Sequence, residues 1–573
     1  MRIKKSVSKN SISYYVIESF RGMDGKSTTK VVEALGSEKE IREKHPGVDP
    51  EEWAKAYAKK LTEEKKQKNA VIIAKYNPGK TIAPHQQRSF NVGYLFLQSI
   101  YYGLGLQHTT KTIQKKYQFR YDLNEILSKL IYMRVLHPTS KKDLFEQARS
   151  LLEGIQCEPH QLYRALDVLK KESDFIQQTV YRNSLKLVHR HKKILYYDCT
   201  NFYFEIEQED GDKRYGPSKE NRPNPIVQMG LFMDASGLPL AFSIFRGSDN
   251  EQGSLKPLEK KILKDFELSQ FVVCTDAGLS SEKNRIYNTL GGRGFITTQS
   301  IKKLKKHLRE WALDPSGWHV KPGDTVVHLS KIDDRPENPT TYFKERWINE
   351  GKLEQRLLVT YSPKYKHYQQ TIRNRQIERA LKKVEKPSSL KKKRPNDPTR
   401  FIRAQYAAEN GEVAEKAHFS INEEAIQKEA QYDGFYGVCT NLESNPLELI
   451  RINHQRWEIE ESFRIMKSEL KSRPVFVRND DRIEAHFLTC FLALLIYRIL
   501  EQKLGEVFTC PTIIQKLREM KMMKETSGEG YIPLYERDDL TDQLHKVFGF
   551  RTDYEIVPIK DMKKILRQTK KAK

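Results

Sequence analysis

The chain has 573 residues, with 100 Lys and Arg against 75 Asp and Glu, a formal net charge of +25. That surplus suits a polyanionic partner, because each cation set against a phosphate releases condensed counterions, yet a ribosomal, membrane-surface or merely soluble basic protein fits it as well. The 38% hydrophobic and 31% charged residues describe globular cores under a wet surface, and the scattered cysteines (157, 199, 274, 439, 490, 510) form no Cys-x-x-Cys pair, which argues against a zinc site or disulfide framework and for a reducing cytoplasm.

Residues 1–9 are basic, but no apolar signal-peptide core follows them. Alternating residues Ile12, Tyr14, Val16 and later Val31, Val32 predict a hairpin turning at Asp24-Gly25. A charged helix is expected over 51–68, then a break at Pro78-Gly79. From Asn91 to about Val188 the apolar spacing is helical, as in Leu123, Ile126, Leu127, Leu130, Ile131. This stretch fits a DNA-end-binding module or a plain helical scaffold.

The texture changes at Lys193–Phe204, a strand by its β-branched and aromatic content. Strands are also expected at 226–233, 238–245, 271–275 and 294–298, with helices at 255–268 and 281–290 between them. Three hairpin-connected strands followed by helix, strand and helix is the order of an RNase H-like sheet. Residues 302–430 are irregular and basic, including the run Lys391–Arg394, and read as an insertion. After a strand at 436–439, one long helix is expected from Ile450 to about Lys471, then an apolar helix over 483–504. The nearly apolar run Phe487–Tyr497 is too short to span a bilayer, so no membrane association is expected.

Asp198 and Asp276 each end an apolar strand, in YYDCT and FVVCTD. A strand-end turn or helix cap explains either one alone; two such strands in one sheet would bring the carboxylates together. In the following helix Asn453, Arg456, Glu460 and Lys467 fall on one face, with Ile459, Phe463 and Met466 as an adjoining apolar stripe. The plainer reading is a solvated face, with Glu460 paired to Arg456 or Arg464. Clustered carboxylates make sense around a divalent ion, and an all-oxygen set favours Mg2+ or Mn2+, with two ions suited to in-line displacement at phosphorus. Gly25-Lys26-Ser27-Thr28 resembles the end of a phosphate loop but lacks its first glycine, and His189 and His191 read as surface residues.

These motifs resemble the DDE-type insertion-sequence transposases, above all the bacterial insertion-sequence-four superfamily with its Y-x2-R-x3-E-x6-K signature. DCT, VVCTDAG and RWEIEESFRIMK carry the likeness, which extends through RVLHPTSKKD, GPSKENRPNPIVQMGLFMDASGLPL and RIEAHFLTCFLALLIYR. The resemblance implies that Asp198, Asp276 and Glu460 are catalytic and hold the metal ions, with Arg456 and Lys467 gripping phosphates. Asn453 stands where the signature has Tyr and is expected to donate to a phosphate in its place. Glu461 breaks both signature spacings, which favours Glu460.

The expected architecture is therefore α/β. It comprises a β-hairpin and helix (1–80), a helical region with DNA binding as one reading (81–190), an RNase H-like core in two parts (191–300 and 431–510), a basic insertion domain between the second and third acidic residues (301–430) and a basic C-terminal region (511–573). The expected function is cut-and-paste DNA transposition on double-stranded terminal repeats and target DNA, by a cytoplasmic homodimer. An RNase H-like nuclease and a domesticated, inactive DNA-binding protein are the alternatives.

Overall fold

The computed structural model describes residues 1–8, 11–21, 27–68, 78–79, 81–384, 397–406, 417–525 and 529–571. It divides into two compact units, Met1–Ala83 with Glu525–Glu529, and Pro84–Lys524 with Gly530–Lys573. In the first, strand Ile12–Arg21 lies between Arg2–Val7 and Ser27–Ser37, antiparallel to both. The expected hairpin is thus present, while its Asp24-Gly25 turn lies outside the described residues, as does the run Lys391–Arg394. Ser37 and Glu40 cap the next helix reciprocally, fixing where it starts, and Tyr14, Ile41 and Ala54 form a small core with Trp53.

The second unit is built on an eight-stranded sheet. Its strands are β1 (Ile194–Tyr203), β2 (Ile226–Asp234), β3 (Pro239–Arg246), β4 (Val272–Thr275), β5 (Gly294–Gln299), β6 (Tyr342–Glu350), β7 (Leu353–Tyr361) and β8 (Phe435–Thr440). They lie in the order β6-β7-β8-β5-β4-β1-β2-β3, with β1, β4 and β5 parallel and every other pairing antiparallel. A mixed sheet of this kind needs cover on both faces. Leu195, Tyr197 and Cys199 face a core with the helix Leu255–Asp265. Tyr196 and Phe202 face the larger core, where Phe202 meets Phe487 at 4.6 Å and Phe242 meets Phe491 at 5.1 Å. Phe487 and Phe491 belong to the helix Asp480–Lys503, which is long and apolar enough to cross a membrane but lies 89% buried over its most apolar stretch.

The helical stretch shares that core. In Leu123–Leu136 every residue except Asn124 and Glu125 is buried, which is how a helix inside a fold reads. Residues 301–430 are not wholly apart from the sheet, since β6 and β7 extend it through β8. Residues 301–318 pack on those strands through Leu308, Ala312 and Trp318, while helices Pro363–Val384 and Glu423–Ala430 with paired strands Ile402–Tyr406 and Ala417–Ile421 build a small core on Ala380, Phe401 and Ile402.

The single helix expected from Ile450 to Lys471 is two, Pro446–His454 and Trp457–Ser468. The cause lies on the sheet: the Tyr196 hydroxyl donates to the Ile452 carbonyl at 3.1 Å. In an unbroken helix that carbonyl would accept from Arg456 N–H, which turns instead to the Asn453 carbonyl at 3.3 Å.

The segment joining β1 to β2 packs through glycines that leave no room for a side chain. A Cβ on Gly247 would lie 2.2 Å from the Ile226 carbonyl oxygen, and one on Gly216 would lie 2.0 Å from that of Gly247. Gly247→Ala should destabilise by about 1–3 kcal/mol through overpacking. Gly253→Ala, with nothing within 4 Å, is the control in a thermal melt; equal melting temperatures would refute the steric account.

Candidate active site

β1 and β4 run parallel with Tyr196 opposite Cys274. Asp198 and Asp276 each stand two residues further along, so strand alternation places both on the face of Tyr196 and Cys274. That face carries the two helices: Tyr196 reaches the Ile452 carbonyl, and the Cys274 thiol lies 3.9 Å from Asn453 Oδ1. Asp198 accepts from the Cys199 N–H at 2.8 Å, and Asp276 from the Leu279 N–H at 3.0 Å. Asp276 does not cap the following helix, a role taken by Ser281.

Burial lifts the Asp198 carboxyl from its ordinary 3.8 to about 6; nearby Lys219 opposes the rise and Asp276 adds to it. Desolvation and the second carboxylate thus outweigh the cations Lys219 and Arg456 that act on Asp198. Arg456 sits among all three predicted acids. Burial pulls its pKa down, but Glu460, Tyr436, Asp198 and Asp276 outweigh this and raise it. Its Nη1 pairs with Glu460 at 3.1 Å, and its buried Nε has no acceptor.

Glu460 is not gathered with the aspartates. Its side chain is 56% exposed and lies on Arg456, the intrahelical pair of the plainer reading, while Arg464 pairs with Glu461. Among the described residues no three His, Cys, Asp or Glu side chains converge to hold a metal ion as they stand. The donors are nonetheless oxygen only, and Asp198 with Asp276 suits a hard divalent cation.

Lys467, expected on phosphate, bonds Glu220 at 3.2 Å, and Arg473 bonds the other oxygen of that carboxylate at 2.6 Å. Burial lowers the Lys467 pKa despite Glu220. Asn453, expected to contact phosphate, is 4% exposed and gives its amide to the Tyr436 hydroxyl at 3.1 Å. Thr298 shares that hydroxyl at 2.8 Å, so the Asn453 amide is engaged by Tyr436 in this structure. A cleft of about 520 Å³ borders Glu460 and Arg456, lined also by Tyr365, Tyr368, Tyr436 and Trp457.

The residues missed from sequence are Lys219, Glu220, Glu251, Tyr436 and Arg473. Lys219 bonds the Cys199 carbonyl and lies 3.5 Å from Glu251. Lys219 and Glu220 fall within the GPSKENRP segment that carried part of the resemblance, the one signal available for them.

No curated protein matches the sequence. Among solved structures, the piggyBac transposase synaptic complex with hairpin DNA aligns at 9% identity and a TM-score of 0.34, covering 84% of this chain and 88% of that one. The Mos1 transposase paired-end complex with left transposon end aligns at 12% identity and 0.12, covering 43% and 68%. Scores this low carry no weight in placing the site. The family model described as "Transposase DDE domain" matches residues 189–496. That span covers more than half of the chain and holds Asp198, which lies mid-strand in β1 and not at its end as expected, Asp276 after the end of β4, and the Arg456–Glu460 helix, so the protein belongs to the DDE transposase family and functions in DNA transposition.

Proposed function

We propose that this transposase cuts double-stranded DNA at the terminal inverted repeats of its own element and joins the freed 3′ hydroxyls to target DNA. The observation that carries the reading is the pair Asp198, within β1, and Asp276, just past the end of its parallel neighbour β4, which act on each other's charge and on Arg456. The order β3-β2-β1-β4-β5 supports an RNase H-like core (191–300 and 431–510), with residues 301–430 as the insertion between the second and third acids. Residues 1–80, 81–190 and 511–573 are proposed as the remaining domains, and 81–190 as a scaffold or end-binding region. Two ends must be paired, so a homodimer is the expected assembly. Six unpaired cysteines support a cytoplasmic setting.

Asp198, Asp276 and Glu460 would hold the divalent ions, Mg2+ or Mn2+, two being the expected number. When bound, such ions activate the attacking oxygen and neutralise charge at the leaving oxygen. Glu460 would have to leave Arg456 to join the aspartates, and its exposure permits that. Arg456 balances the carboxylates while they are unliganded and has a free N–H to offer a phosphate oxygen. Lys467 and Arg473 would take a second phosphate where Glu220 now lies. The exposed faces of Tyr368 and Trp457 suit stacking with an unpaired base.

Glu220→Gln removes an anion that competes with phosphate. Its DNA affinity at low salt should rise several-fold, and the slope of log affinity against log salt should steepen by about one. Anisotropy titrations with duplex DNA read both, and an unchanged slope would refute the role of Glu220.

Incubating the protein with Mg2+ and DNA bearing the inverted repeats that flank its gene tests the proposal. A transposase yields 3′-hydroxyl ends and joined products. Cleavage without joining would make the protein a nuclease, and binding without cleavage a domesticated relative; either result overturns the proposal.

A further inference from the structure

Beyond the end of the Trp457–Ser468 helix, two cations are buried with no carboxylate among the described residues to offset them. Arg134, 7% exposed, sits in the last turn of the helix Leu123–Leu136. It donates to the carbonyls of Lys471 at 3.2 Å, Leu470 at 3.5 Å and Thr139 at 3.5 Å, and its Nε finds no acceptor. Lys141 follows on the next turn, 5% exposed, with no hydrogen bond or ion pair to any described residue. The charged or ionisable groups that reach it are Arg134, Cys490 and His486, none an acid at neutral pH, and burial pulls its amine down to about 7. Ser472 is fully buried and its hydroxyl has no acceptor. Buried His486 closes the group, its Nε2 3.0 Å from the Ser472 carbonyl and 3.7 Å from the Cys490 thiol, with Arg134 and Lys141 both within reach of its charge.

A buried cation without a partner and a buried donor without an acceptor are each unfavourable. Here Arg134 at the end of its helix and Lys141 and Ser472 on the loops beside it each have a donor without an acceptor among the described residues. Water would accept hydrogen bonds but would leave both charges unbalanced, whereas an oxyanion supplies acceptors and charge at once. The residues next to the group in the chain, Lys142 and Lys471, are exposed and give an anion a cationic approach.

We infer that Arg134, Lys141 and Ser472 form a binding site for an oxyanion of the phosphate class, apart from the carboxylate site and independent of how that site works. The anion comes either from free phosphate or from a phosphodiester of bound DNA, and bound there it would tie the turn after the Trp457–Ser468 helix to the helix Leu123–Leu136.

Thermal melts of the full chain in chloride and in inorganic phosphate at matched ionic strength test this. Phosphate should raise the parent's melting temperature by about a few degrees, as binding to the folded state requires. Lys141→Met should abolish that rise and, in chloride, melt no lower than the parent, because it removes an unbalanced buried charge. Ser472→Ala keeps the charge and should reduce the rise, which keeps the test valid if Lys141→Met folds poorly. Duplex-DNA titrations distinguish the source: Lys141→Met lowers the salt slope by about one if DNA supplies the phosphate and leaves it unchanged if free phosphate does. A phosphate-induced rise that persists in both variants overturns the inference. So does a parent that melts alike in both salts while Lys141→Met keeps the parent's DNA slope.

Discussion

Asp198→Ala is expected to lower Mg2+-dependent end cleavage by roughly 10³-fold while leaving the fold intact. A metal ligand contributes several kcal/mol of charge stabilisation to phosphoryl transfer, and each 1.36 kcal/mol is a factor of ten in rate. The fold should tolerate the change because Asp198 does not support it. Its carboxyl is lifted to about 6 by burial and by Asp276. The stability tied to its neutral form is therefore fully present below the ordinary value of 3.8 and lost as pH rises through about 6. Asp198→Asn, always neutral, should melt higher than the parent at pH 7.5 in chelator, by about 1–2 kcal/mol after allowing for solvent access. The two should melt alike near pH 4, and divalent ion should close the gap at pH 7.5 by stabilising only the parent. A parent that matches Asp198→Asn at every pH would sink this electrostatic account.

Asp234→Ala should be the most damaging change to stability, by about 3–5 kcal/mol, because it strands a buried charge. Arg190 and Asp234 pair with both side chains fully buried. The guanidinium also donates to Ser184 Oγ at 2.9 Å and to the carbonyls of Leu238 at 3.0 Å and Pro239 at 2.9 Å. Asp234 in turn accepts from the Ser236 N–H at 2.9 Å and the Leu238 N–H at 3.3 Å, shaping the turn between β2 and β3. One ion pair thus fixes that turn and ties it to the helix Ser173–Leu187. Removing both partners, as Arg190→Met with Asp234→Leu, should recover most of the loss. Chemical denaturation of the single and double variants measures this, and equal loss in both would show that the charges are not what matters.

The strands around Asp198 and Asp276 are legible because dense β-branched and aromatic runs with turn residues between them have one plausible state. Their parallel register follows once the order of strands and helices is read, so the two aspartates could be brought together from sequence. The break at Gln455–Arg456 could not. Nothing local in RINHQRWEIE interrupts a helix; the Tyr196 hydroxyl, distant in sequence, takes the Ile452 carbonyl. The partner of Asn453 is hidden for the same reason, since helical spacing puts it beside Arg456 while its amide bonds Tyr436. Lys219 and Glu220 sit in a polar, proline-rich loop without periodicity, where the sequence carries composition but no direction for a side chain. The pairing of Glu460 with Arg456 was foreseen as the plainer reading of that helix face, and it coexists with the arrangement of the two aspartates.

The central claim is that Asp198, Asp276 and Glu460 hold the divalent ions that cut DNA, and a metal-preference switch tests it most directly. Asp198→Cys, Asp276→Cys and Glu460→Cys each replace a hard oxygen donor by a softer thiolate, which disfavours Mg2+ and tolerates Mn2+ better. Single-turnover cleavage of the cognate end is predicted to fall sharply for all three variants in Mg2+ and to recover substantially in Mn2+, while the parent cuts with either ion. Cys variants that cut in Mg2+ as fast as the parent would contradict the claim.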